Sequence, residues 1–400
     1  MCTSPCNVRW HGEGPRVTMA RGSFCIITHK PFPRRHMLLK EVLGLQDACF
    51  FPGGNTPQGF VCRFEDIMPP ERARRVYFIK GGSGVGKSTF MRAVGEHCAR
   101  AGRRVEYFRC SSDPDSLDGV SVPELGVALM DGTAPHAMDP RLPGVRDFTL
   151  DLGRFLSEAR LAGAREELER AMARRAACFA RAYARLSAAQ ALYCDAGRAL
   201  SVALRPGEEL IRELERALGP AAHGEGRGGL RRLFADAVTP AGLVSVLDTL
   251  PARRRVRVEL PWGCDASPAL EAMARRAQRR GEDAVLLMDP LMPERALHLY
   301  LPERGALVCA DGGLVERDMA FDAAVPGAAG GPGDAEALAA AEFDRRECMG
   351  MIGAAVEQLA LARRLHARVE ERYSSAMDFE RVQSLREEVC AQIDALSPQN

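Results

Sequence analysis

The chain reads as an α/β protein built from two related parallel-sheet halves, each followed by a helical hairpin. Three observations point there. Short β-branched and apolar runs alternate with segments whose apolar residues recur at helical spacing. Two long Ala/Leu/Arg/Glu-rich stretches, residues 151–218 (without proline until Pro206) and 335–396, read as paired helices. At an offset of 179 residues (Gly84 onto Gly263), the chain aligns with itself without gaps over residues 81–126 and 260–305.

In chain order, the first strand with a clear environment is Val76–Ile79, an apolar run suited to a sheet covered on both faces. Phe90, Met91, Val94 and Cys98 then form one stripe of a helix. Between them stands Gly81-x-x-x-x-Gly86-Lys87-Ser88. That spacing is specific, because each residue type has a task on a phosphate chain. Glycines at 81, 82, 84 and 86 allow backbone amides to turn inward with no Cβ in the way, and the following helix offers its positive end. The full cradle is Gly81, Gly82, Ser83, Gly84, Val85, Gly86, Lys87, Ser88 and Thr89. Lys87 is placed to reach the β- and γ-phosphates, Ser88 to ligate Mg²⁺, and Thr89 to meet the α-phosphate.

A second strand, Arg104–Cys110, leads into the acidic turn "SSDPDSLDGV", and a third, Gly126–Gly132, ends in Asp131. A carboxylate at such a strand tip can hold Mg²⁺ opposite the loop serine, so Asp131 is the second metal candidate. Asp113, Asp115 and Asp118 lie at the carboxyl edge, where open α/β sheets bind ligands; Asp113 is taken as the candidate base, although acids in a proline-containing turn also serve as turn formers. His136 follows shortly after and is a lesser candidate.

Composition narrows the function classes. Among 400 residues with 46% hydrophobic content, no run is long enough to span a bilayer, and the apolar run "FCIIT" is too short for a secretion signal, so a cytoplasmic protein is expected. The 13 cysteines never form a C-x-x-C pair, and the eight histidines show no ligand spacing. Net charge is +1, with no specific nucleic-acid signal. Of the 54 basic residues only Lys30, Lys40, Lys80 and Lys87 are lysines, so the loop keeps an ammonium in a chain that otherwise uses arginine. A guanine-reading Asn-Lys-x-Asp segment cannot exist, since the asparagines are Asn7, Asn55 and Asn400 and no lysine follows Lys87. ATP is therefore favoured over GTP.

The second half repeats the landmarks: Gly84/Gly263, Ser88/Ser267, Gly102/Gly281, Pro123/Pro302 and Gly126/Gly305 coincide. With small shifts so do Asp131/Asp311, Phe51/Phe234 and Thr56/Thr239. Its loop differs where phosphate would sit. Leu260 and Pro261 replace the leading glycines, Asp265 replaces Gly86 and Ala266 replaces Lys87. A carboxylate beside an incoming phosphate costs several kcal/mol, on the order of a close like-charge pair in a poorly solvated loop. One nucleotide site, in the first half, is expected. The resulting division is residues 1–44, an atypical N-terminal extension; 45–150, the loop-bearing domain; 151–218, a helical hairpin; 219–229, a linker; 230–324, the degenerate domain; 325–334, a second linker; and 335–400, the C-terminal helical region. Arg170, Arg174, Arg181 and Arg185 share a helix face, read as a solvated surface or, alternatively, as an anion-contacting lid.

The segments "FFPGGNTPQGF", "IKGGSGVGKSTFM", "VEYFRCSSDPDSLDGVSVPELGVALMDGTAPH" and "SSAMDFE" resemble a bacterial family of duplicated P-loop proteins described as ATPase or nucleotide kinase-like. The likeness runs from about Ala48 to the C-terminus. It implies tandem P-loop NTPase-like domains and ATP binding through Gly81–Thr89, and it supplies no substrate. Family members often keep the lysine loop in both halves, and this sequence departs there. Residues 1–44 look foreign to the family, which places the expected natural start at Met19 or Met37. The leading expectation is a slow Mg²⁺-dependent ATPase whose degenerate half and helices serve as a platform for a protein partner. The alternatives are a nucleotide or small-molecule kinase and a nucleotide-sensing protein without turnover.

Overall fold

The computed structural model describes residues 47–134, 138–200, 204–221, 224, 226–329 and 335–397. The N-terminal extension, the start positions Met19 and Met37, and His136 lie outside the described residues. In the first half the elements are β1 (Ala48–Phe50), β2 (Gly53–Thr56), β3 (Gly59–Cys62), β4 (Arg75–Lys80), α1 (Lys87–Arg100), β5 (Glu106–Cys110), β6 (Asp113–Val122), β7 (Val127–Asp131), β8 (Asp147–Asp151), α2 (Glu158–Leu161), α3 (Arg165–Ala199) and α4 (Gly207–Leu218). The second half runs β9 (Leu230–Leu233), β10 (Asp236–Thr239), β11 (Gly242–Ser245), β12 (Arg254–Glu259), α5 (Ser267–Arg279), β13 (Ala284–Met288), β14 (Ala296–Leu301), β15 (Ala306–Ala310), β16 (Ala323–Pro326), α6 (Ala335–Ser374) and α7 (Phe379–Asp394).

The duplication is complete at the level of topology. The first six-stranded sheet has the order β1-β5-β6-β7-β4-β8, and the second, read from its far edge, β9-β13-β14-β15-β12-β16, so every strand has its counterpart in the same place. In each, one strand runs against the rest: β6 is antiparallel to β5 and β7, and β14 to β13 and β15. The sheets are thus mostly parallel, as the two-sided apolar runs require: Val76 to Ile79 and Ala284 to Met288 are all buried. The acidic segment 113–118, expected as a turn, is instead the start of β6. Leu117, Val120 and Val122 bury its later part, while Pro114, which has no N–H to donate, falls where the register with β5 slips.

The helical hairpins are a correction. The long α3 does not fold back on α4 but pairs along its length with α6. Its buried stripe of Cys178, Ala182, Leu186, Ala189, Tyr193 and Ala196 needs a partner of similar reach, since 35 residues extend about 50 Å. The 12-residue α4 cannot supply that, and the 40-residue α6, with Cys348, Ile352, Ala355, Leu359, Ala362 and Leu365 buried, can. The short helices then exchange. From the first half, α4 lies on α5, with Arg280–Glu215 at 3.0 Å and Arg254 donating to the Ala217 carbonyl at 2.8 Å. From the second, α7 lies on α1, with His97 2.9 Å from Asp394 and the Tyr77 hydroxyl 2.9 Å from Gln392.

The halves meet at Phe51 and Phe234, the repeat-related pair, whose backbones form an antiparallel bridge with hydrogen bonds of 2.8 and 3.0 Å. Asn55 bridges both halves by donating to the Ser111 and Val238 carbonyls, and the buried Glu106–Arg231 ion pair at 2.7 Å lies beside them. The expected linker 219–229 is partly fastened: Gly224 and Gly228 donate to the Arg280 and Gln278 carbonyls. The boundaries at 150 and 324 fall inside β8 and β16. Among the described cysteines all are free thiols, and Cys49, Cys98, Cys178, Cys309 and Cys348 are buried. No described helix is long and apolar enough to cross a membrane.

Candidate functional site

The glycine-rich loop leaves the buried end of β4 and enters α1. Gly81, Gly84 and Gly86 adopt φ of 142°, 72° and 92°, a region that side chains disfavour, so the turn depends on those glycines. Val85 is fully buried and pins the loop from within. Helix α1 begins at Lys87 with no side-chain cap, which leaves its positive end facing the loop. The Lys87 ammonium donates to the Gly81 and Gly82 carbonyls at 2.8 Å each and stands 3.6 Å from the Asp131 carboxylate. Asp131 lies at the tip of β7 and accepts from the Thr133 amide at 2.8 Å, while the Thr133 hydroxyl donates to the Gly81 carbonyl. Lys87, Asp131 and the loop are thus together, as their spacing in sequence anticipates. Thr89 is exposed on the first turn of α1.

The Ser88 hydroxyl accepts from the Leu117 amide at 2.9 Å, which ties α1 to β6. Ser267 does the same with the Ala296 amide at 3.0 Å, so this bond belongs to both halves. The Ser88 oxygen keeps a second lone pair for a cation. Among the described residues no cluster of three or more His, Cys, Asp or Glu forms a cage. Mg²⁺ in phosphoryl transfer does not need one, since one or two protein oxygens complete its shell with phosphate and water. Ser88 and Asp131 offer a hydroxyl and a carboxylate oxygen of the kind such a cation takes, and Asp118 lies buried near Asp131.

The three acids of β6 separate. Asp113 turns to α6, accepting from Arg363 at 2.7–2.8 Å and from Ser116 at 2.8 Å. Asp115 is exposed, and its carbonyl accepts from Arg92. Asp118 is buried, near Asp131 and Lys87. Burial, then the Asp131 charge, push its carboxyl up to about 8, against the pull of Lys87. Of the three, Asp118 is the acid beside the lysine and the strand-tip aspartate, a position the turn reading did not separate from the others.

The second half contributes what sequence reasoning missed. A Cβ at Gly84 would collide with the Glu370 carbonyl of α6, and one at Gly82 would lie 3.9 Å from the Tyr373 ring. His366 is 3.5 Å from Glu370, and burial with Arg175 nearby push its imidazole down to about 4. On α3, Arg170, Arg174 and Arg181 are exposed, and Arg170 pairs with Glu166. Arg185 and Arg175 are half-buried, and Arg175 lies near Glu370. These α6 residues meet groups some 250 to 290 positions away, as in the Arg363–Asp113 and Glu370–Gly84 contacts. The quoted segment "SSAMDFE", at the turn into α7, signalled the region.

The loop of the second half is filled by protein groups from both halves. The Asp265 carboxylate accepts from the Ser267 amide at 2.8 Å, setting a negative charge at the start of α5. The Tyr193 hydroxyl, buried, reaches Asp289 at 2.8 Å and the Gly312 carbonyl at 2.7 Å, and its ring meets Trp262 edge-on at 4.8 Å. The backbone of Gly263 presses on Gly197 so closely that a Cβ on either would clash. Compared with known proteins, the chain matches no family model, no curated protein and no solved structure.

Proposed function

We propose that this chain binds Mg²⁺–ATP through Gly81–Thr89 and hydrolyses it slowly, with one nucleotide site per chain. The observation that carries the reading is the Lys87 ammonium. It rests on loop carbonyls, 3.6 Å from Asp131, at the uncapped start of a helix. A triphosphate entering the loop takes over those ammonium hydrogen bonds and meets the amides of the first turn. Ser88 and Asp131 would hold the cation, which would neutralise charge developing on the transferring phosphate. Asp118 in its ionised form can accept the proton of the attacking water, so turnover on this reading rises as pH passes through about 8. Positive charge gathered near the carboxylates lowers that value.

The second half is read as a scaffold, because Asp265 takes the first amide of α5 and the Tyr193 ring packs on Trp262 of the loop. A phosphotransferase is the second reading. It is favoured by the Arg363–Asp113 contact, which sets a guanidinium from α6 at the acidic edge where an acceptor would approach. Calorimetric titration tests the primary reading: one ATP per chain is expected, and Lys87→Ala should lose binding by at least tenfold. Unchanged affinity in that variant would sink the proposal, and phosphate release compared with transfer to added metabolites separates the two readings.

A further inference from the structure

We propose that Phe379 is the platform on which the base of the bound nucleotide stacks, so that base recognition comes from the second half of the chain. This inference rests on triphosphate binding by the Gly81–Thr89 loop.

Phe379 is the first residue of α7 and is 48% exposed, although its ring lies against the phosphate loop: a Cβ at Gly86 would be 3.3 Å from the ring edge. Its backbone is held firmly. The Asp378 amide donates to the Phe155 carbonyl at 3.1 Å, Met377 pairs with Leu156, and the Ser157 amide donates to the Ala376 carbonyl at 2.9 Å. The Asp378 carboxylate caps α7 by accepting from the Arg381 amide at 3.2 Å. Beneath this turn the buried Phe155 carries the Arg154 and Arg381 guanidiniums, each 4.7 Å from its ring centre. The far end of α7 is tied to α1 by the His97–Asp394 contact. An aromatic ring fixed at the start of α7, beside the start of α1, is therefore pre-organised and open on one side.

The chemistry of the ligand supplies the missing side. A triphosphate seated in the loop with its α-phosphate at the exposed Thr89 sends its sugar and base out past the first turn of α1, the end beside which Phe379 sits. A base laid on an aromatic face gains about 1–3 kcal/mol, and the gain depends on ring area more than on hydrogen-bonding pattern. Purine nucleotides should therefore bind more tightly than pyrimidine ones. The Arg154 and Arg381 charges add a cationic rim without reading the base.

The test compares ATP, UTP and inorganic tripolyphosphate by calorimetry on the full chain with Mg²⁺ present. Phe379→Ala and Phe379→Leu should each weaken ATP about 5- to 100-fold while leaving tripolyphosphate within about twofold, and Phe379→Trp should restore ATP binding with its fluorescence quenched on addition. ATP affinity unchanged in Phe379→Ala overturns the proposal. So does a parallel fall for ATP and tripolyphosphate, since the ring would then act on the loop and not on the base. A wild-type chain that binds neither ligand refutes the phosphate-loop reading instead.

Discussion

Replacing Asp118 by asparagine should remove a pH-dependent weakness from the folded protein. In the fold, burial and the Asp131 charge hold the Asp118 carboxyl protonated up to about pH 8, whereas in the unfolded chain it ionises near 4. Between those values the native state keeps a proton that the unfolded state has lost. Stability contributed by this group is therefore complete below about pH 4 and declines as pH rises towards 8. Each pH unit costs about 1.4 kcal/mol, so from pH 6.5 to 8 the wild type should lose roughly 2 kcal/mol through this group alone. His298 and His366, both pushed down to about 4 chiefly by burial, act in the opposite sense, but only below about pH 6.5, where the unfolded imidazoles take up protons. Above that pH they add no slope. Urea unfolding at pH 6.5, 7, 7.5 and 8, without nucleotide or divalent cation, should thus show the gap between Asp118→Asn and wild type moving in favour of the variant by about 2 kcal/mol. Parallel pH curves would refute the burial argument. The same variant should bind ATP and fail to hydrolyse it if Asp118 is the base.

Three further expectations concern the scaffold. Tyr193→Phe leaves the buried Asp289 carboxyl and the Gly312 carbonyl without the shared hydroxyl, and should cost about 1–3 kcal/mol by urea denaturation. Ala266→Lys alone should create no second ATP site, because the Asp265 carboxylate still takes the first amide of α5; a stoichiometry of two would contradict this. Glu106→Ala strands Arg231, whose partner it is at 2.7 Å across the two halves, and should cost about 3–5 kcal/mol, whereas a loss under 1 kcal/mol would show the halves cohere without the pair.

Much of the first half was legible because its signals are local. The glycines that need positive φ, the apolar run of β4, the stripe of α1 and the acid ending β7 lie within about fifty residues of one another, and each acts through its own backbone. The antiparallel entry of β6 was not legible, because its first residues are proline and aspartates and its place in the sheet is set by neighbours on both sides. The duplication showed in scattered identities such as Phe51/Phe234, but the antiparallel bridge between those two residues did not.

The residues thus carry the loop, its lysine, the strand-tip aspartate and the loss of that lysine in the repeat, since spacing along a strand–turn–helix fixes geometry over a few ångströms. Folding in three dimensions decides which helix covers which half. An apolar stripe specifies that a helix must be buried, but not against what, and length matching sends α3 to α6 and the short helices to opposite sheets. That exchange sets Arg363, Glu370, Tyr373 and Phe379 around a loop almost three hundred residues away, and seats Tyr193 in the loop that has lost its lysine.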